Sequence, residues 1–154
     1  MLIKMSANNG QAQRLQPEEI QQLRNEVLWP HKTFENCILE TDHFPSTFHF
    51  GVKVEGLTVA TVTLQQESSS KLPQEKQYRL RAMAVREGYR GQGFGDAIVE
   101  EGLKYLKELG IEVVWCDARI AALNFYRRLQ FEELEEEYEI PIIGLHRFMW
   151  KVLS

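Results

Sequence analysis

The stretch Met83-Ala-Val-Arg-Glu-Gly-Tyr-Arg-Gly-Gln-Gly-Phe-Gly-Asp96 places Gly88, Gly91, Gly93 and Gly95 between a strand-like run and a helix-like run. In such a segment the backbone amides become the functional groups. Glycine reaches φ > 0 freely and lets a ligand approach the main chain. The unpaired N–H groups at a helix start can then converge on an anion, with the helix dipole assisting. A phosphate is the natural guest. A Walker A loop needs GxxxxGK[ST], and no Lys-Ser/Thr follows these glycines. A Rossmann fingerprint needs GxGxxG, whereas Gly91, Gly93 and Gly95 give GxGxG, and the turn does not follow a first βα unit. Taken alone, a GxG is more readily a structural turn.

The elements that must hold this loop can be read from periodicity. Met1 to Met5 is a short apolar stretch followed by a polar turn, and Met5-Ser-Ala is a plausible alternative start. Pro17 with Glu18 and Glu19 opens a helix on which Ile20, Leu23, Val27 and Leu28 recur, and Trp29-Pro30 stops it. Phe48 to Leu64 alternates as two strands about a Glu55-Gly56 turn, and Gln65 to Lys76 is a polar surface loop. Tyr78 to Val85 is a strand. Asp96 is placed to cap a helix with Val99, Leu103 and Leu106 on one face and Gly110 as its stop. Ile111 to Cys116 has the continuous apolar character of an interior strand. A helix over Ile120 to Leu129 leads through Phe131 and a glutamate-heavy segment to a last strand, His146 to Leu153. Helices on both sides of a mixed sheet make the fold α/β (α+β). No internal repeat is visible.

Two motifs in register carry a resemblance. Arg90-Gly-Gln-Gly-Phe-Gly95, entered from Met83-Ala-Val85, resembles the [QR]xxGx[GA] loop of the GNAT superfamily of acetyl-CoA-dependent N-acetyltransferases. Ala122-Leu-Asn-Phe125-Tyr126 with Phe131 beyond resembles that family's AxxFYxxxGF block. The likeness covers residues 48–150. It departs at Arg119, where the family often has Asn, and at Gln130, where it usually has Gly. It implies a mostly antiparallel central sheet flanked by helices on both faces.

The resemblance also implies site residues and a reaction. Arg90, Gly91, Gln92, Gly93, Phe94 and Gly95 would hold the pyrophosphate of acetyl-CoA. Met83, Ala84 and Val85 would line the acyl arm, and Asn124 would complete the cofactor set. Tyr126 matches the tyrosine that protonates the coenzyme thiolate. A primary amine of a small-molecule or peptide acceptor would attack the thioester directly, since the amine needs only transient deprotonation near neutral pH. Glu139 and His146 are the catalytic-base choices, with His49, Asp117 and Glu112 as further candidates acting through water. A non-catalytic CoA-binding or sensor domain, or a protein-interaction module, is the alternative.

Composition narrows the setting. The 154 residues suit one domain, 1–154, and a formal net charge of −4 argues against nucleic-acid binding through a basic field. Cys37 and Cys116 have neither disulfide-framework nor metal spacing, so no metal is expected and a reducing, cytoplasmic setting fits. No apolar run is long enough to cross a bilayer. Arg79 and Arg81 read as outward strand charges, Arg86 as a candidate for a 3′-phosphate, Asp117 as a partner for Arg119, and Cys116 as a buried small apolar residue. Glu132 to Glu139 reads as a solvated edge that could also steer a cationic amine. The apolar ending Met149 to Leu153 could supply the edge of a homodimer.

Overall fold

The computed structural model describes residues 9–153, so the Met1 to Met5 stretch and the alternative start lie outside the described residues. Seven strands form one sheet: β1 (Ala12–Leu15), β2 (Phe48–Val54), β3 (Leu57–Gln66), β4 (Gln77–Val85), β5 (Val113–Arg119), β6 (Glu132–Ile140) and β7 (Gly144–Val152). Their spatial order is β1-β2-β3-β4-β5-β7-β6. Every neighbouring pair is antiparallel except β4 with β5. A parallel pair needs a crossover, and α2 (Phe94–Glu108) supplies it.

Adjacent residues of a strand point to opposite faces, and β3 shows what covers each face. Leu64 packs beneath α2, where a Cβ on Gly102 would meet its Cδ1 at 2.8 Å, so a larger residue there would push the Leu64 methyl aside. Thr63 faces the other way and accepts a hydrogen bond from Arg24 Nη2 at 2.7 Å. Arg24 continues from α1 (Pro17–Leu23) into one wider π-helical turn, Arg24–Leu28. Helices thus cover both faces. The core under α2 gathers Phe50, Val62, Leu64, Leu80, Ile98, Val99 and Leu106. Each such side chain contributes about 1.5–3 kcal/mol on burial.

Several expectations are corrected. The helix over Pro17 to Leu28 is α-helical only to Leu23. It ends in the π-turn, whose Asn25 side chain ties down the carbonyls of Trp29 and Lys32 at 3.0 and 2.9 Å. Gly93 at φ +83°, not Asp96, caps α2; Asp96 stands one turn in and pairs with Arg128. The interior strand runs Val113–Arg119, displaced toward the C-terminus of the expected span. The glutamate-heavy segment is β6, an edge strand. β7 pairs with β5 through Val152 and with β6 as far as Trp150, so of the β7 residues in the expected edge only Lys151 and Val152 lack a strand partner on the β6 side.

Candidate active site

A bulge and a splay build the site. Along β3 and β4, Thr61 opposes Ala84 while Thr63 opposes Arg81, so β4 carries one extra residue there, and Ala82 takes φ +53°. An inserted residue bends its strand and increases the local twist. On the other side, β4 meets β5 only through Gln77, Tyr78 and Arg79 against Val113, Val114 and Trp115. Beyond Arg79 and Trp115 the strands part, leaving the β5-facing backbone of β4 without a strand partner. A cleft of about 950 Å³ fills the gap, a size suited to an extended ligand.

Residues from both faces of the sheet line the cleft. Cys116, Ala118, Phe125 and Tyr126 line it from the α2 side, where α3 (Leu123–Arg128) packs, and Trp29, Arg81, Asp117 and His146 line it from the α1 side. At one end lies the glycine loop. None of the backbone amides from Arg90 to Asp96 finds an acceptor among the described residues, and the first bond beyond them runs from Ala97 N to Gly93 O at 3.0 Å. Gly91 and Gly93 hold φ of +75° and +83°, a region that disfavours any Cβ. The Arg90 side chain turns back, its Nε donating to the Val85 carbonyl at 3.1 Å.

Of the residues named from sequence, Met83, Ala84, Val85, Arg90, Gly91, Gly93, Phe94, Gly95, Tyr126 and His146 come together in the cleft wall. Gln92, Asn124 and Glu139 lie outside it. Gln92 bonds the Gly88 carbonyl at 3.2 Å, Asn124 accepts from Arg127 at 3.0 Å, and Glu139 is exposed on β6. His49 is buried elsewhere, bonding Thr63 and the Asp42 carbonyl, and Glu112 accepts from Lys76 N at 3.0 Å.

Tyr126 is buried, and burial, then the neighbouring Cys116, pushes its phenol well above the usual range. No group among the described residues bonds its hydroxyl. Burial raises the Cys116 thiol likewise, which keeps it neutral and unreactive. His146 is 3% exposed and donates from Nδ1 to the Gly144 carbonyl at 2.7 Å. A carbonyl only accepts, so the neutral ring carries its proton on Nδ1 and leaves Nε2 as an acceptor. Its ring stacks on Tyr138, with centroids 6.2 Å apart.

Three expectations about charges change. Asp117 does not pair with Arg119; its two oxygens accept from Arg79 at 3.0 Å and from the Tyr138 hydroxyl. Burial, then that bond, pushes the Tyr138 phenol upward. Arg79 is held by Glu67 and Asp117 and lies over the Trp115 ring at 5.1 Å, rather than standing in solvent. Arg86 is taken up by Glu26 and by the Thr58 carbonyl. Sequence reasoning missed Trp29 and Arg81 as cleft residues. The Trp29-Pro30 helix stop marked the place of the first without its role.

Residues 14–131 match the model of the acetyltransferase (GNAT) family. The chain belongs to the GNAT family. It is an enzyme of the acyl-CoA-dependent N-acetyltransferase class. A protein of Bacillus subtilis (strain 168), the uncharacterized N-acetyltransferase YitI, is 36% identical over 136 residues, covering 88% of this chain and 91% of that protein. Among solved GNAT-like structures, an acyl-CoA N-acyltransferase from Pseudomonas aeruginosa aligns with a TM-score of 0.71 at 20% identity, over 93% of this chain and 99% of that one. An aminoglycoside 6′-N-acetyltransferase complexed with coenzyme A aligns with a TM-score of 0.74 at 10% identity, over 93% and 97%. At such identities the structural matches establish a shared fold.

Proposed function

We propose that the chain, acting as a single domain over residues 1–154, transfers an acetyl group from acetyl-CoA to a primary amine of a small-molecule or peptide acceptor by direct attack. The observation that carries this reading is the set of partnerless amides from Arg90 to Asp96 at the end of a cleft between β4 and β5. A diphosphate satisfies such amides and is favoured by the positive end of α2. The unpaired edge of β4 can accept an extended, amide-bearing arm as an added strand would pair.

Acetyl-CoA supplies the activated acyl group. Within this reading Met83, Ala84 and Val85 line its arm, and Arg90 through Gly95 hold its phosphates, with Gln92 contributing only its backbone. Tyr126 donates a hydrogen bond to the departing sulfur. Its raised pKa keeps the proton in place, so it acts as a fixed donor more than as an acid that ionises. His146 takes the amine's proton at Nε2. Glu139, outside the cleft, could serve only through water, and Asn124 is a rim residue. Both free cysteines are buried thiols, which supports a reducing, cytoplasmic setting.

The test is release of free coenzyme thiol from acetyl-CoA across a panel of amines, run beside an acetyl-CoA thermal shift. Turnover with an amine supports the enzyme. A shift with no turnover by any amine points to a binding or sensor domain, and the absence of a shift removes the cofactor reading.

A further inference from the structure

Three arginines crowd the α1 face of the sheet near the bulge. Arg24 is bound by Asp42, and Arg79 by Glu67 and Asp117. Arg81 has no such partner. It lines the cleft half-buried, and among the described residues no hydrogen bond or ion pair reaches its guanidinium. Burial, then the charge of Arg79, lowers its pKa from the usual value, and the Glu67 and Asp42 carboxylates, each already bound to another arginine, offset this only in part. A half-buried cation with free donors facing a cleft is a receptor in want of an anion.

The diphosphate does not fit that role. Arg81 stands on β4, four residues before Val85, and not in the loop whose amides are proposed to hold the diphosphate. It also shares its face with Trp29, Asp117 and His146, on the side of the sheet opposite α3. We infer that Arg81 receives an anionic group carried by the acceptor amine, so that the acceptors are zwitterions such as amino acids or short peptides. The planar fork of a guanidinium matches a carboxylate or a phosphonate with two parallel hydrogen bonds, and orients the amine as a lone ammonium–carboxylate contact could not.

This inference rests on the acetyl transfer proposed above, and the experiment separates the two. Thiol release is measured for an amino acid, its carboxamide and its aminophosphonate, with wild type, Arg81→Gln and Arg81→Lys. Wild type should favour one of the anionic amines over the carboxamide by tenfold or more in kcat/KM, and the favoured anion identifies the group. In Arg81→Gln the ratio should fall toward one, through KM for the acceptor and not through KM for acetyl-CoA, and Arg81→Lys should restore part of it. Arg81→Gln should melt no lower than wild type, because its guanidinium has no partner to lose. The anionic amine should also raise the melting temperature of the CoA-loaded wild type more than the carboxamide does. A wild type indifferent to the anion, equal losses for both substrates in Arg81→Gln, or a rise in KM for acetyl-CoA overturns the assignment while leaving acetyl transfer intact. If no amine releases thiol and acetyl-CoA causes no shift, both readings fall.

Discussion

Arg24 grips both carboxylate oxygens of Asp42, at 2.5 and 3.0 Å, with neither side chain exposed to solvent. The same guanidinium reaches the Cys37 carbonyl and Thr63 and lies 5.7 Å from the Trp29 ring. It therefore joins the π-turn, the 33–42 segment and β3, and it sets the wall of the cleft that Trp29 forms. Removing one member of a buried pair leaves an uncompensated charge. Asp42→Ala should destabilise the fold by about 3–5 kcal/mol, measured by urea unfolding with an unchanged slope. A loss under 1 kcal/mol would mean the pair is dispensable.

Acid should act on the same cluster in two stages. Burial holds the His49 imidazole neutral, with its pKa below the usual 6.5. The unfolded chain then binds that proton first, so stability is full above pH 6.5 and declines as the pH falls toward the folded pKa. Burial alone would raise the Asp42 carboxyl, but the hydrogen bonds and charge of Arg24 outweigh it and hold it below the usual 3.8. Its contribution is present above that value and is lost at lower pH. Melting temperature against pH should fall from 6.5 downward, and His49→Gln should flatten the upper part of that decline. An unaltered curve in the variant would exclude His49 as its source.

Gly93→Asp tests the loop. The left-handed backbone at this position costs a non-glycine residue about 1–2 kcal/mol, and a Cβ there meets nothing within 4 Å, so the protein should still fold. The added carboxylate would stand among the amides proposed to hold phosphate. Acetyl-CoA affinity, read by calorimetry, should drop at least 100-fold; affinity within a factor of three of wild type would place the diphosphate elsewhere.

For Tyr126→Phe the expected loss is in kcat, by roughly 10²–10³, the cost of one fixed hydrogen-bond donor, with KM for acetyl-CoA within a factor of about three. The hydroxyl has no protein partner, so the melting temperature should hold. Turnover equal to wild type would make Tyr126 a packing residue between Phe125 and Phe131, whose ring centroids lie 5.0 and 5.3 Å away.

Gln130 occupies φ +69° at the end of α3, where its amide bonds Arg127 O at 2.9 Å. Glycine takes that conformation without strain. Gln130→Gly should stabilise the protein by up to about 1 kcal/mol, visible as a rise in melting temperature of a few degrees.

What could be read from sequence followed from periodicity and local rules. The β2–β3 hairpin, β4, the glycine loop and α2 announce themselves through alternation, glycine placement and the spacing of Val99, Leu103 and Leu106. β1 carries a single buried apolar residue, Leu15, in four, too little to show alternation. β6 is a run of glutamates whose pairing with β7 is reinforced by Arg147 reaching Glu133 and Glu137, contacts between residues 10 and 14 apart that no local pattern encodes. In the site, loop residues were legible because their chemistry is that of contiguous backbone. The Arg24–Asp42 pair, the Tyr138–Asp117 bond and the isolation of Arg81 depend on which strands lie beside each other and on where β4 and β5 stop pairing, and alternation carries no record of that.

Because the gap between β4 and β5 is lined from both sides of the sheet, the coenzyme arm and an acceptor can occupy it at once, and neither must wait for the other to leave. Initial-velocity lines drawn at several fixed concentrations of one reactant should therefore intersect.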